Sequence, residues 1–395
     1  MKYLYLVADG MGDWPLDKLG GRTPLEAAHT PEMDKLAATS LVGQCQTIPE
    51  GMEPGSDIAN MALMGYNPAR YHTGRGPIEA AAQGLETGPK DLIWRMNLVT
   101  LEGENSRDIM RDYSGGHVET EDARKLIDSV ADAAPQDMTP ITGVQYRHLL
   151  VHKDGAQTPA SKVSIRPPHD ILDKDIAPDI QAYSAYRPLS DFWNKARKIL
   201  SGPENPTTAN AIWPWGQGTP LSLPDFSQTR GLSGAVISAV DLVRGLGRAA
   251  GIHVPDVPGV TGLVDTNYQG KVDAALDFLQ QGDFAFVHLE GPDECGHMGD
   301  PEEKIRAIEN FDQQILGRLL EAVSGQNFTV VVCCDHLTPI KIRTHAPDPV
   351  PFMIHFSKKS LAGVDEFSEK TAASTGVFLG QGTDILETAL KGDSI

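Results

Sequence analysis

Cysteine is scarce in this chain. Only Cys45, Cys295, Cys333 and Cys334 occur, and no CxxC spacing is among them, which removes the usual cysteine-based zinc sites. Cys333 and Cys334 are adjacent in an apolar run, where neighbours on a strand point to opposite faces, so a disulfide between them is not expected. A reducing, cytoplasmic compartment is the expected location. Positive charge is also short: 34 Lys and Arg against 53 Asp and Glu leave a formal net charge of -19. Nucleic acid and anionic membrane both need a basic surface, so neither is an expected partner. A small anionic substrate stays possible, because bound divalent cations reverse the field within one pocket. No apolar run reaches the length of a membrane span. The opening MKYLYLVADGMGD turns acidic too early for a signal peptide. There is no GxxxxGK[ST] phosphate loop, no internal repeat and no low-complexity segment.

What is present is a chain of 395 residues, 40% of them hydrophobic, with room for two domains or one domain carrying a large insertion. Residues Tyr3 to Ala8 form an apolar run ending at Asp9-Gly10, the pattern of a buried strand with an acid at its carboxyl end. Helical spacing follows from Thr23 to Leu36. The Pro- and Gly-rich run PEGMEPGSD is loop, and Ile58 to Leu63 is a helix that Ser56 or Asp57 would cap. The character changes near Asp91. Strands at Trp94–Glu102 and Tyr146–His152, with a helix at Thr120–Ala131 between them, suggest a small α+β unit that ends near Pro188. Ser201 to Pro224, including WPWGQG, is loop-rich. Beyond it, strands at 234–238, 283–289, 328–334 and 350–356 alternate with helices, which implies a mostly parallel sheet with helices on both faces. The expected division is 1–92 and 188–395 as one domain, with 93–187 inserted in it.

Three of these strands end alike. The first runs into Asp9, the strand Ala285–Leu289 into Glu290-Gly-Pro-Asp293-Glu-Cys-Gly-His297, and the strand Val330–Cys334 into Asp335-His336. Ligands of open parallel sheets bind beyond the carboxyl ends of the strands, so these residues would converge there, with His345 in a following loop. A lone aspartate at a strand end is more often a turn or cap residue, and a lone Asp-His pair is usually structural; three such ends with three histidines point to metal. Asp293 and His297 are four apart, so one helical turn aims both at one point. Mixed carboxylate and imidazole donors suit manganese or zinc better than calcium. Six donors on four loops suit two ions, and two ions stabilise both the entering and the leaving oxygen of a phosphoryl transfer. Ser56, between Gly55 and Asp57 before a helix, is either a simple N-cap or a nucleophile that metal coordination would activate.

The series Asp9-Gly-Met-Gly-Asp13, Gly55-Ser-Asp57, Tyr71-His-Thr-Gly-Arg-Gly-Pro77, Asp265-Thr-Asn-Tyr268, Asp293-Glu-Cys-Gly-His297, Asp335-His336 and His345 with Asp348-Pro-Val-Pro351 resembles the archaeal-type 2,3-bisphosphoglycerate-independent phosphoglycerate mutases of the alkaline phosphatase superfamily. The resemblance spans nearly the whole chain. It implies an alkaline-phosphatase-like, doubly wound, mostly parallel α/β domain interrupted by a smaller α+β substrate or cap domain. It further implies two manganese-type ions (zinc, cobalt or magnesium being alternatives). One would be held by Asp9, Ser56, Asp335 and His336, the other by Asp293, His297 and His345. Phosphate would pass to Ser56 and back to the other hydroxyl of a small phosphorylated substrate, converting 3-phosphoglycerate to 2-phosphoglycerate without bisphosphoglycerate. Leu337 stands where Ser or Thr commonly follows the Asp-His pair, and Cys295 replaces a small residue; neither is a ligand.

The stretch Ala209-Asn-Ala-Ile-Trp-Pro-Trp-Gly-Gln-Gly218 resembles a bacterial branch for which homoserine kinase activity has been proposed, so a kinase of small alcohols is the first rival reading. A metal-dependent phosphatase or phosphodiesterase is the second, and a binding scaffold the third. ATP consumption, release of free phosphate, and absence of metal binding respectively mark these rivals. Candidate substrate contacts are Arg75, Arg147, Arg166, His169 and Lys271. Arg75 lies in a Gly-rich loop, and arginine is shaped for bidentate phosphate or carboxylate binding; a surface salt bridge is the alternative for each.

Overall fold

The structure is a computed structural model that describes residues 1–104 and 107–392. It divides into two compact units, residues 1–72 with 222–395, and residues 73–221.

In the larger unit a seven-stranded sheet runs in the order Phe378–Leu379, Leu41–Cys45, Val350–Phe356, Phe328–Cys333, Lys2–Ala8, Phe284–Leu289, Gly234–Ile237. Its centre is parallel: Lys2–Ala8 lies between Phe328–Cys333 and Phe284–Leu289. The strands of this centre read as almost unbroken apolar runs because both faces are covered, and Leu4, Leu6, Val7, Ala8, Phe286, Val287, Val330 and Val332 are all fully buried. Each large side chain removed from water in this way contributes about 1.5–3 kcal/mol. Register matters more than composition here. Val7 pairs with Cys333 and Ala8 with Leu289, so the three strands stop at one level. Val350–Phe356 is the strand that runs against the rest, antiparallel to both Phe328–Cys333 and Leu41–Cys45. Leu41–Cys45 escaped the sequence reading because a five-residue run carrying Gly43 and Gln44 has little apolar signal.

The predicted long helix at 301–323 is present as Pro301–Asn310, a π-wound stretch Phe311–Gly317, and Arg318–Ala322. Inside the π-wound stretch, buried Asp312 accepts the backbone N–H groups of Glu32 and Met33, so it caps the helix Pro31–Ala37 from a distance in sequence.

The smaller unit is built on the long strand Leu92–Glu104, which pairs antiparallel with Arg107–Asp112, Arg147–His152 and Ala211–Gly218. The expected breaks at 92/93 and 187/188 differ from the observed ones at 72/73 and 221/222. Three segments account for the difference. The helix Arg75–Ala82 packs on the strand Leu92–Glu104. The helix Arg187–Leu200 buries Leu189, Phe192, Trp193, Ala196 and Leu200, one stripe at helical spacing, in this unit's core. WPWGQG, read as loop, is part of the strand Ala211–Gly218. Its Pro and Gly content suggested a loop, but it pairs on one side only, and an edge strand tolerates proline.

The loop after Lys2–Ala8 is held by a buried ion pair. Lys304 Nζ lies 2.8 Å from Asp13 Oδ2, both side chains fully buried, and also donates to the carbonyls of Gly12 and Thr338. Asp13 accepts N–H groups from Trp14 and Ile340. Removing one member of such a pair strands the other, at a cost of about 3–5 kcal/mol. Lys304→Met is therefore expected to lower the chemical-denaturation midpoint sharply, and a midpoint equal to wild type would contradict the assignment.

Glu369 accepts the Asp13 N–H at 2.9 Å and the Thr23 hydroxyl at 2.7 Å. Burial pushes its carboxyl from 4.5 up to about 7. The folded state thus binds the proton more tightly than the unfolded one. Stability from this group is complete below 4.5 and is lost as pH rises through about 7. The stability difference between wild type and Glu369→Gln should shift against wild type across that window; a difference independent of pH would show that Glu369 titrates as an ordinary carboxylate.

Candidate active site

The strand ends deliver their acids as the sequence implies. Asp9, Asp293 and Asp335 are all buried. Asp9, Asp335 and His336 form one group whose ligand atoms lie within 4.8 Å of one another, and Asp293, His297 and His345 form a second. Asp293 and His297 lie on the helix Gly291–Met298, with Oδ2 and Nε2 3.2 Å apart. His345 Nε2 is 3.1 Å from His297 Nε2. Ser56 begins the helix Ser56–Leu63 and is not its N-cap, a place taken by Gly55. Ser56 Oγ lies 3.1 Å from His336 Nε2. All seven proposed ligands, Ser56 included, lie in the larger unit.

Residues that the sequence reading passed over tie this centre together. Asn60, one turn after Ser56, donates to Asp335 Oδ2 at 2.8 Å and to the Ser56 carbonyl at 3.0 Å. The other Asp335 oxygen accepts the N–H groups of Gly10 and His336. Thr338 donates its hydroxyl to Asp293 Oδ1. His288, fully buried, has Nε2 3.0 Å from Asp9 Oδ2. The i, i+4 spacing of Ser56 and Asn60 and a lone histidine within the apolar strand Phe284–Leu289 were the available signals. Gly10 has φ +60, and a Cβ there would stand 2.6 Å from Asp293 Oδ1 and 2.7 Å from Asp293 Cα.

The three histidines of the two groups share a tautomer that hydrogen bonding dictates. His297 Nδ1 is 3.0 Å from the Arg343 carbonyl and His345 Nδ1 is 3.4 Å from the Pro54 carbonyl. A carbonyl only accepts, so both Nδ1 atoms carry the proton. The Thr338 proton goes to Asp293, so at 3.2 Å the Thr338 oxygen accepts from His336 Nδ1. In its neutral form each ring therefore turns the Nε2 lone pair into the cluster, the form a metal requires.

The electrostatics point the same way. Burial, followed by the charges of Asp335 and Asp293, pushes the Asp9 carboxyl well up, and Asp9 Oδ1 is buried with no hydrogen-bond partner. Burial alone would raise Asp293 too, but its contact with His297, and then the charges of His336 and His345, hold it well below the usual range. His297 rises to about 9, its burial outweighed by Asp293. Burial, with His336 next, lowers His345 to about 4. A crowd of buried carboxylates with one oxygen unpartnered, and three imidazoles whose Nε2 atoms face it, fits divalent cations.

The five candidate substrate contacts divide between the two units. Lys271 is in the larger unit, buried, its Nζ donating to the His288 carbonyl at 2.8 Å, and burial lowers it to about 8. The rest are in the smaller unit. Arg166 is engaged with Asp179 at 2.5 Å and with the Asp175 carbonyl. Arg75 lies 5.7 Å and Arg95 5.1 Å from the Trp215 ring, with His169 edge-on to Trp215 at 5.6 Å. Arg147 stands over Tyr146, which meets Tyr113 edge-on, and Tyr113 in turn meets His169.

The profile of the metalloenzyme superfamily matches residues 1–384. A 2,3-bisphosphoglycerate-independent phosphoglycerate mutase from Methanothrix thermoacetophila is 44% identical, covering 99% of this chain and 100% of that protein. The chain belongs to this family of metalloenzymes. A probable phosphoglycerate mutase of the same kind from Geobacter sulfurreducens is 40% identical, over 99% of this chain and 100% of that one. Among solved structures, a Pyrococcus horikoshii protein superposes with a TM-score of 0.82 at 28% identity, covering 99% and 97% of the two chains. The cofactor-independent phosphoglycerate mutase of Thermoplasma acidophilum superposes with a TM-score of 0.62 at 25% identity, covering 98% of this chain and 100% of that one. The resemblance read from the motifs is thus borne out, and so are the enzyme class and the α/β fold. Membership also carries a requirement for divalent metal. Among the described residues no helix is long and apolar enough to cross a membrane.

In this mutase-family fold Gly10 is doubly constrained, by its positive φ and by Asp293. Gly20, at φ +67, has nothing within 4 Å of the place a Cβ would take. Gly20→Ala should thus cost only the left-handed backbone penalty, roughly 1–2 kcal/mol, and Gly10→Ala distinctly more. Equal losses in thermal denaturation would mean that the Asp293 helix gives way freely.

Proposed function

We propose that the chain interconverts 3-phosphoglycerate and 2-phosphoglycerate, without a bisphosphoglycerate cofactor, by way of a phosphoryl group carried on Ser56. The observation that carries this reading is the position of Ser56 Oγ, 3.1 Å from His336 Nε2 at the first residue of a helix, beside two clusters of buried carboxylates and histidines. Asp9, Ser56, Asp335 and His336 would hold one divalent ion and Asp293, His297 and His345 the other, with manganese the first choice for this donor set and zinc, cobalt or magnesium alternatives. When bound, such ions lower the pKa of the serine hydroxyl and draw charge from the transferring oxygens.

The chain's own contributions are positional. The helix Ser56–Leu63 turns its amino-terminal end towards a phosphate on Ser56, where the helix dipole favours negative charge. Asn60 fixes both the Ser56 backbone and Asp335. In the transfer, the bond from phosphorus to the glycerate oxygen breaks as the bond to Ser56 Oγ forms, Ser56 giving up its hydroxyl proton and the glycerate oxygen gaining one; in the return step the bond to Ser56 Oγ breaks as phosphorus bonds to the neighbouring glycerate oxygen, which gives up its proton while Ser56 Oγ regains one. Arg75, Arg147 and His169 of the smaller unit are the substrate contacts we favour, because guanidinium and imidazole groups set among aromatic rings suit a phosphate or carboxylate. Arg166, paired with Asp179, and Lys271, donating to the His288 carbonyl, rank behind these three. The four buried cysteines, none in a disulfide, suit a reducing cytoplasm.

The test is a coupled assay of manganese-loaded protein with 3-phosphoglycerate and no bisphosphoglycerate, repeated with Ser56→Ala. Wild type should turn over, and the variant should lose roughly a thousandfold or more, the scale of losing a covalent nucleophile. Turnover surviving in the variant would exclude a phosphoserine route.

A further inference from the structure

His288 has no part in the transfer described above, yet its ring is fully buried against Asp9. Its Nε2 stands 3.0 Å from Asp9 Oδ2, off the line of a well-formed hydrogen bond. Its Nδ1 lies 3.2 Å from Ser238 Oγ, and Ser238 Oγ accepts the Val240 N–H at 3.0 Å. The His288 backbone is held as well, by Lys271 Nζ on its carbonyl.

The sign of the neighbours fixes which ring nitrogen carries the proton. With Asp9 ionised, as a ligand to a cation is, a proton on Nδ1 would leave an Nε2 lone pair facing a carboxylate oxygen in a dry pocket, a repulsion that the low local dielectric magnifies. Val240 fills one lone pair of Ser238 and leaves the hydroxyl free to turn and donate to Nδ1. Nε2 then carries the proton and meets Asp9 Oδ2 attractively. This is the opposite tautomer from His297, His336 and His345, and it leaves no lone pair at Nε2 for a cation. Asp9 Oδ1, by contrast, is buried without a hydrogen-bond partner, 3.6 Å from His336 Nε2.

We infer that His288 is a positioning residue whose Nε2–H holds Asp9 Oδ2, so that Oδ1 is the oxygen turned towards Asp335 and His336 for a divalent cation. The inference rests on the metal-site reading proposed above. A carboxylate already held on one oxygen loses less freedom when a cation takes the other. Lys271 acts one step further back, by fixing the carbonyl of the residue that holds Asp9.

The experiment measures Mn2+ binding to the metal-free, full-length protein by calorimetry. It compares wild type, His288→Leu and His288→Gln, and records the thermal midpoint of each metal-free protein. Glutamine reaches as far as the histidine Nε2 and can present an N–H there; leucine cannot. His288→Leu should weaken one of two binding events by roughly 10–100-fold, the usual effect of removing the partner of a metal ligand, and leave the other unchanged. His288→Gln should recover most of that loss. Should the leucine variant not fold, His288→Asn replaces it, since its N–H falls at the Nδ1 position and should not rescue. Unchanged affinity in the leucine variant, or equal losses in the leucine and glutamine variants, would overturn the inference. A wild type that binds no Mn2+ would remove the metal-site reading itself, a result distinct from a wild type that binds two ions and a leucine variant that binds them equally well.

Discussion

Repulsion between buried carboxylates is the force against which the larger unit is arranged. The parallel registers that end Lys2–Ala8, Phe284–Leu289 and Phe328–Cys333 at one level bring Asp9, Asp293 and Asp335 into one dry region. Three such charges destabilise one another unless donors surround them. The donors come from every neighbouring segment: the Gly10 N–H, the Asn60 amide, the Thr338 hydroxyl and the histidine rings. The compensation is uneven. Asp293 touches His297 and is held low; Asp9 has more negative than positive neighbours and is pushed up. The imbalance suits the cations proposed for this centre.

The parts of this arrangement that depend on local pattern were legible in the sequence. An apolar run ending in Asp9, an Asp293–His297 pair at helical spacing, and an Asp335-His336 pair after a run of valines each combine periodicity with chemistry. Motif order added Ser56 and His345. What stayed hidden depends on tertiary contact. Beyond its i, i+4 spacing from Ser56, little local distinguishes Asn60 from any other polar residue of a helix, and nothing marks Thr338 out from a loop threonine, until Asp335 and Asp293 stand beside them. Lys304 reads as a solvated charge on a helix, yet it is fully buried against Asp13. The edge strand Ala211–Gly218 was hidden by its own composition, because proline and glycine signal a loop unless one knows that only one side must pair.

The smaller unit follows a different logic. Its core is aromatic, with Trp94, Trp213, Phe192 and Tyr183 buried, and Tyr183 donates its hydroxyl to the Pro214 carbonyl. Trp215 is the member of that strand that meets the guanidinium groups of Arg75 and Arg95 and the His169 ring. Glu79 sits 2.6 Å from Arg95 and 3.9 Å from Arg75, which fixes the first guanidinium more firmly than the second.

The central strand Lys2–Ala8 has a consequence for how the chain comes into being. It leaves the ribosome long before its neighbours in the sheet, which are far downstream: Tyr3 pairs with Phe284 on one side and Thr329 on the other. At ordinary elongation rates the delay is roughly tens of seconds. Throughout it, a sticky β-forming segment is exposed with neither edge satisfied, while the intervening unit of residues 73–221 can complete its own sheet. Long-range parallel pairing of this kind makes folding slow and aggregation-prone. The geometry that lines up the acids therefore also makes the nascent chain a natural client for chaperones.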